Sequence, residues 1–300
     1  MRRTPLYDEH LAMGGKVVDF HGWALPVQFS GIVEEHQHTR TKAALFDCSH
    51  MGEFSVRGKV AMQAFSELVC LNPFKVPVGR GKYGAMLQED GGIIDDVIAF
   101  RLGEEDFFVV TNAGPLDTVS SRMTAGGASD VSDATAKIDI QGPFARDILA
   151  TEIPACTELK YYQARRSAWK GVDIVLARTG YTGELGYELF VPNRIAVDFW
   201  RALLAHPEVK PAGLGARDTL RTECCYGLSG QDFDASRTPL EAAMESFIAW
   251  DKDFVGKSAL EAKRDAGGYP ILTPIKTQDR RAPRHEFDVK HDGEIVGAVT

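Results

Sequence analysis

The sequence predicts an α+β protein built from two related modules, on three observations. Residues 82–87, 93–101 and 107–111 are short apolar or alternating runs. They are separated by Glu89-Asp90-Gly91-Gly92 and Gly103-Glu104-Glu105-Asp106, the turn spacing of an antiparallel meander. Residues 60–71 (VAMQAFSELVCL) carry apolar side chains at helical spacing. A second cycle repeats the mixture: 143–150 opens a helix, 172–178 and 187–191 read as paired strands, and 196–205 reads as another helix. None of these strands is the long, uniformly apolar run of a buried parallel sheet.

The chain of 300 residues, 44% hydrophobic, is long enough to bury more than one core, so two domains or one large domain with an appendage are expected. Charged residues at 25% are ordinary for a globular protein. A formal net charge of −8 argues against a phosphate-tracking surface and hence against nucleic acid as a partner, though not against a local basic patch for a small anion. The opening MRRTPLYDEH has no apolar core behind its arginines and reads as neither a secretory signal nor a transit peptide. No stretch approaches the roughly 18 apolar residues of a membrane span. Five cysteines, scattered except for Cys224-Cys225, suit reduced thiols and a cytoplasmic location. Residues 263–275 read as a linker and 286–300 as a hairpin about His291-Asp292-Gly293. The pattern stops in mid-strand at Val299-Thr300, so the final domain is expected to be truncated.

Three stretches could carry chemistry. In GGIIDDVI two carboxylates, Asp95 and Asp96, sit inside an apolar strand, where Asp is disfavoured and burial of charge is costly. Strand alternation sends them to opposite faces, which excludes the shared acid–base dyad of a glycosidase or aspartic protease and leaves one functional and one structural acid. Caps on the preceding turn would read the same way. In RTGYTGELGYE (178–188) closely spaced glycines imply a tight loop whose backbone can approach a ligand closely, and Glu188 enters an apolar strand; a plain hairpin is the alternative. In GLGARDTLR (213–221) the dinucleotide fingerprint is incomplete, but Arg217 at a loop-to-helix junction can present its fork to a carbonyl or carboxylate. His36, His38, His50 and Cys48 lack a matching second pair at metal-ligand spacing, so no metal is expected.

Taken together these stretches resemble the tetrahydrofolate-dependent aminomethyltransferase family, the T-proteins of the glycine cleavage system. Collinear pieces carry the resemblance: TPLY (4–7), DFHGW (19–23), FD (46–47), SHM (49–51), GGIIDD, Asn112, RTGYTGE, GLGARD, TPLEA (238–242), DFVGK (253–257) and PRH (283–285). It implies a cloverleaf of three domains around a central folate channel: a folate-binding domain over 1–262, the linker, and over 276–300 the start of a C-terminal β-barrel that is incomplete here. It implies transfer of the methylene carbon of a lipoyl-bound aminomethyl group to N5 of tetrahydrofolate, giving 5,10-methylenetetrahydrofolate and ammonia, with the lipoylated H-protein as partner. Carried over by position, Asp95 is the acid beside the reactive nitrogens and Asp96 its structural neighbour. Glu188 reads the 2-amino and N3 edge of the pterin, Arg217 stands on the pterin side and Tyr181 in the same wall. Asn112 and Met51 line the channel, with Tyr83 and Tyr226 as further walls.

Two departures bear on the donor. Ser229 and Ser246 stand where the family commonly has Tyr and Trp. A folate-dependent demethylase of a small sulfonium, amine or methyl ether, and a folate-binding protein without transferase activity, are the alternatives on sequence.

Overall fold

The computed structural model describes residues 1–277 and 282–300. Two sheets dominate. The five-stranded sheet runs in the order Arg80–Leu87, Ile93–Gly103, Asp106–Thr111, Gly52–Arg57, Ser129–Asp130, antiparallel throughout. Its first three strands are the expected meander. The six-stranded sheet runs Ala164–Trp169, Val172–Ala177, Gly186–Pro192, Thr135–Gln141, Ala43–Asp47, Val209–Pro211, with a parallel pair only at its last edge.

Each sheet is covered on its outer face by helices, three of them expected from the sequence and Leu116–Ala125 not. Lys59–Leu68 and Leu116–Ala125 pack on Phe54, Val56, Val97, Ala99, Phe107 and Val109. Ala145–Glu152 and Asn193–Leu204 pack on Leu45, Ile138, Ile140, Leu176 and Leu189. The inner faces meet each other: Phe100, Phe108 and Val110 of one sheet close on Val175, Ala177 and Phe190 of the other. The rings of Phe108 and Phe190 stand edge to face with centroids 4.8 Å apart. Apolar burial of this order is the main driving force holding such layers together. The chain crosses between the sheets at residues 48–51, which puts Met51 against both inner clusters.

A closing segment follows the helix Leu214–Glu223. Its Phe233, Leu240, Ala242, Met244, Ile248, Phe254 and Leu260 pack on Ala85, Leu87 and Ile93, over the end of the meander. The last helix, Lys257–Ala266, runs through the boundary expected at 262, and the extended connection begins at Gly267. Part of the expected final domain, 278–281, lies outside the described residues. Beyond it Asp288–His291 and Glu294–Ala298 form the predicted hairpin, and Asp292 (φ 50°) and Gly293 (φ 88°) take the left-handed conformations of its two-residue turn. Among the described residues no sheet closes into a barrel.

Candidate functional site

The site is built where the meander's end meets the inner face of the six-stranded sheet. Alternation holds along Ile93–Gly103: Asp95 shares a side with Val97 and Ala99, which face the helices, and Asp96 with Ile98 and Phe100, which face the other sheet. The two carboxylates nevertheless share a donor. Asn112, one residue past the neighbouring strand, places its single Nδ2 2.8 Å from Asp95 Oδ1 and 2.6 Å from Asp96 Oδ1. An amide nitrogen has two hydrogens, one for each carboxylate. A bulge between Met86 and Leu87 breaks the register beside Asp95 and bends this end of the strand, so both carboxylates can reach one partner.

The two acids differ in access. Asp95 has no exposed surface, and its oxygens accept from Asn112 N (2.8 Å), Asn112 Nδ2 and Ser229 Oγ (3.0 Å). Asp96 is half-buried and accepts from Tyr83 Oη at 2.9 Å. Asp96, not the Asp95 expected beside the ligand, is the acid with a free face. Burial, reinforced by the charge of Asp96, pushes Asp95 up to about 8. Burial also pushes Asp96 up to about 6, against the hydrogen bonds from Tyr83 and Asn112. Both shifts disfavour a second charge on the pair.

The six-stranded sheet contributes the second half. Glu188 and Asp139 lie directly opposite each other in the Thr135–Gln141 and Gly186–Pro192 pair, a like-charge contact that needs compensation. Lys137 Nζ supplies it, 2.7 Å from Asp139 Oδ1 and 3.5 Å from Glu188 Oε2, with Arg217 Nη1 3.3 Å from Asp139 Oδ2. Two anions and two cations are thus buried together, the condition under which buried charge is tolerated. Burial raises Glu188 from its ordinary range, while Lys137 and Arg217 oppose the shift. Arg217 also stacks over the Tyr181 ring at 4.9 Å, and Tyr181 lies nearly parallel to Tyr226, centroids 5.8 Å apart. Tyr181 Oη donates to Gly227 O at 2.6 Å, fixing that wall.

The glycines of RTGYTGELG serve a different end from the one expected. A Cβ at Gly180 or Gly186 would stand 2.1 or 2.0 Å from Gln141 Oε1, and one at Gly183 (φ 79°) 2.2 Å from Cys224 Sγ. The loop wraps the Gln141 side chain, which donates to Thr179 O and accepts from Thr182 Oγ1. The close approach is to the protein itself.

Sequence reasoning missed Tyr161 and Tyr162, and marked Ser229 only as a departure from the family pattern. Tyr162, at φ 61° in a conformation unusual for an aromatic residue, feels the charges of both Glu188 and Asp96. Tyr161 is 56% exposed and reaches Tyr226, at the outer edge of the same wall. Their segment LKYYQ has no motif or periodicity to mark it. Glu53 is also unannounced: it is fully buried, finds no hydrogen-bond partner among the described residues, and is raised well above the carboxylate range by burial. The histidines are dispersed into separate contacts. His36 meets Thr219 and Glu223, His38 meets Glu208 O, and His50 stands edge-on to Phe20 and is pushed down to about 3 by burial. Among the described residues no cluster of three or more His, Cys, Asp or Glu could hold a metal ion.

An acidic pair and a charge-balanced aromatic wall are joined by residues 226–229, which meet Tyr181 at one end and Asp95 at the other. The GCVT N-terminal domain family matches residues 6–252. The aminomethyltransferase of Halothermothrix orenii is 38% identical over 310 residues, covering all of this chain and 87% of that protein. That of Saccharopolyspora erythraea is 40% identical over 313 residues, covering all of this chain and 85% of its own. The crystal structure of glycine cleavage system aminomethyltransferase T from Bartonella henselae superposes with a TM-score of 0.90 at 30% identity, over all of this chain and 85% of that one. The chain belongs to the GCVT aminomethyltransferase family.

Proposed function

We propose that this enzyme transfers the methylene carbon of a lipoyl-bound aminomethyl group to tetrahydrofolate, releasing ammonia, as the aminomethyltransferase of a glycine cleavage system. The observation that carries the reading is that residues 226–229 join the two halves: Ser229 reaches Asp95, which shares Asn112 with Asp96, and Tyr226 stacks on Tyr181 beside Arg217.

The residues fit a pterin. Glu188 has Lys137 as its nearest cation, at 3.5 Å, which leaves acceptor capacity for an adjacent pair of N–H donors. The Tyr181–Tyr226 stack and the Arg217 guanidinium offer flat surface beside it. Bound there, tetrahydrofolate supplies the nucleophilic amine that accepts the carbon. Asp96 is held by Tyr83 and Asn112 so that its charge is fixed before the reaction begins. A carbon leaving sulfur for nitrogen carries developing positive charge, and a pre-oriented anion in a dry site stabilises it without reorganisation. Asp95 acts through Asn112, whose second hydrogen it engages. Met51, at the crossover between the sheets, closes the apolar side.

The donor is the lipoylated H-protein and the product 5,10-methylenetetrahydrofolate. The folate-binding part spans 1–262, the linker 263–275, and 276–300 opens a third domain of β-barrel type that completes a cloverleaf. The proposed setting is cytoplasmic. Isothermal titration with tetrahydrofolate tests the binding half. Wild type should bind, and Glu188→Gln should bind more weakly by about 2 kcal/mol, the worth of a charge-assisted hydrogen bond. Equal affinity of the two would remove Glu188 from the site.

A further inference from the structure

We infer that Ser229 is a positioning residue for the carboxylate pair: from a loop outside the meander its hydroxyl fixes Asp95, and through Asn112 fixes Asp96. Of the three donors to Asp95, two belong to Asn112 and only Ser229 Oγ, at 3.0 Å from Oδ1, comes from another part of the fold, 134 residues away. Its loop is rigidly held. Arg221 Nη1 pairs with the buried Asp232, Leu228 N donates to Asp232 Oδ2 at 2.8 Å, and Gly230 at φ 82° donates its N–H to Phe233 O at 2.8 Å. Phe233 is anchored in the core with 1% exposure. The same loop presents Tyr226 to Tyr181 and its Gly227 carbonyl to the Tyr181 hydroxyl. One loop therefore sets both the acid pair and the aromatic wall.

Without the hydroxyl, Asp95 Oδ1 keeps only Asn112 Nδ2, the nitrogen that also holds Asp96. The amide then divides its hydrogens between the carboxylates with no third contact to fix the split, and Asp95 binds its proton more tightly. The titratable groups facing the pair are Tyr83 from the adjacent strand, and Tyr162 and Tyr181 from across the space. Among the described residues no lysine or arginine forms an ion pair with Asp95 or Asp96. Ser229 is thus a donor whose loss nothing nearby replaces.

The inference rests on the transfer reading for its kinetic consequence, so two readouts are paired on the full chain. In ligand-free protein, carboxyl carbon-13 NMR of labelled aspartate follows the pair's titration directly. In the transferase assay, kcat and KM for tetrahydrofolate are measured against pH. Ser229→Ala should move the pair's titration up by about one pH unit, the effect of losing one hydrogen bond to a charged group. Its kcat should be about tenfold lower across the profile, the worth of one hydrogen bond to a charged group, because Asp96 keeps its charge but loses its fixed position, with KM unchanged. Ser229→Thr, which keeps the hydroxyl, should restore the titration and kcat, and Ser229→Cys, a weaker donor of similar size, should fall between. An unmoved titration in Ser229→Ala, a loss confined to KM, or no rescue by Thr overturns the inference. A moved titration in a protein that transfers no aminomethyl carbon upholds Ser229 and overturns the transfer reading.

Discussion

Replacing Asp96 with Asn removes the charge of the only member of the acid pair that has an exposed face, while keeping its volume and an oxygen for Tyr83 Oη. The size of the loss follows from the geometry. A unit positive charge developing about 4 Å from the carboxylate, at an effective dielectric of about 20, interacts with it by about 4 kcal/mol. That is about a thousandfold in rate. Part is recovered, because the charge of Asp96 is one cause of the raised proton affinity of Asp95, and its removal lets Asp95 ionise more readily. Asp95 has no exposed surface, so the recovered charge acts from further away, and a loss of about a hundred- to a thousandfold is expected. The assay is formation of methylenetetrahydrofolate and ammonia from an aminomethyl-loaded lipoylated carrier at saturating substrates. The deficit should fall on kcat, with tetrahydrofolate affinity retained, as for an interaction made in the transition state. A variant within about fivefold of wild type, or one impaired only in KM, would refute the electrostatic role.

The raised proton affinity of the pair sets a pH dependence of stability. Asp95 titrates at about 8 in the folded protein and near its ordinary value of about 3.9 unfolded. The native state therefore holds an extra proton between about pH 4 and 8, and stability from this group, full below about pH 4, is lost at up to about 1.4 kcal/mol per pH unit as pH rises through that window. Asp95→Asn should flatten the slope in urea unfolding between pH 5 and 8; an unchanged slope would place the titration elsewhere. Asn112→Leu should destabilise by about 3 kcal/mol, since two buried carboxylates lose their shared donor, and should slow turnover as well; chemical denaturation and the transferase assay check both. Gly180→Ala should lower the melting temperature sharply or prevent soluble expression, because its Cβ would lie 2.1 Å from Gln141 Oε1. Full stability of that variant would show that the loop has room to relax.

Local signals were legible in the sequence wherever they report local physics. The meander was readable from its turn residues, the helix at 60–71 from its apolar stripe, and the hairpin at 286–300 from Asp292-Gly293, because each rests on neighbours a few residues apart; the helix Leu116–Ala125 was not read. Contacts between distant segments were not readable. Strand alternation correctly separates the Cβ directions of Asp95 and Asp96, but says nothing of an asparagine beyond the next strand that gathers both carboxylates. The resemblance pointed to that pair; which acid keeps a free face depends on the sheet packed opposite, and in the structure it is Asp96. The RTGYTGELG glycines were recognised as a close approach, yet the partner, Gln141, lies some forty residues earlier. Ser229, Tyr161 and Tyr162 come from connecting segments whose importance is set by where the scaffold delivers them.

The central claim is that this space between two sheets joins a lipoyl-bound one-carbon unit to a folate nitrogen. Incubating the full chain with tetrahydrofolate and a lipoylated, aminomethyl-loaded carrier protein tests it most directly. The account predicts methylenetetrahydrofolate and ammonia in equal amounts, with the carrier left as its dihydrolipoyl form. Methyltetrahydrofolate formed from a small methyl donor instead, or tight folate binding with no turnover, would contradict it.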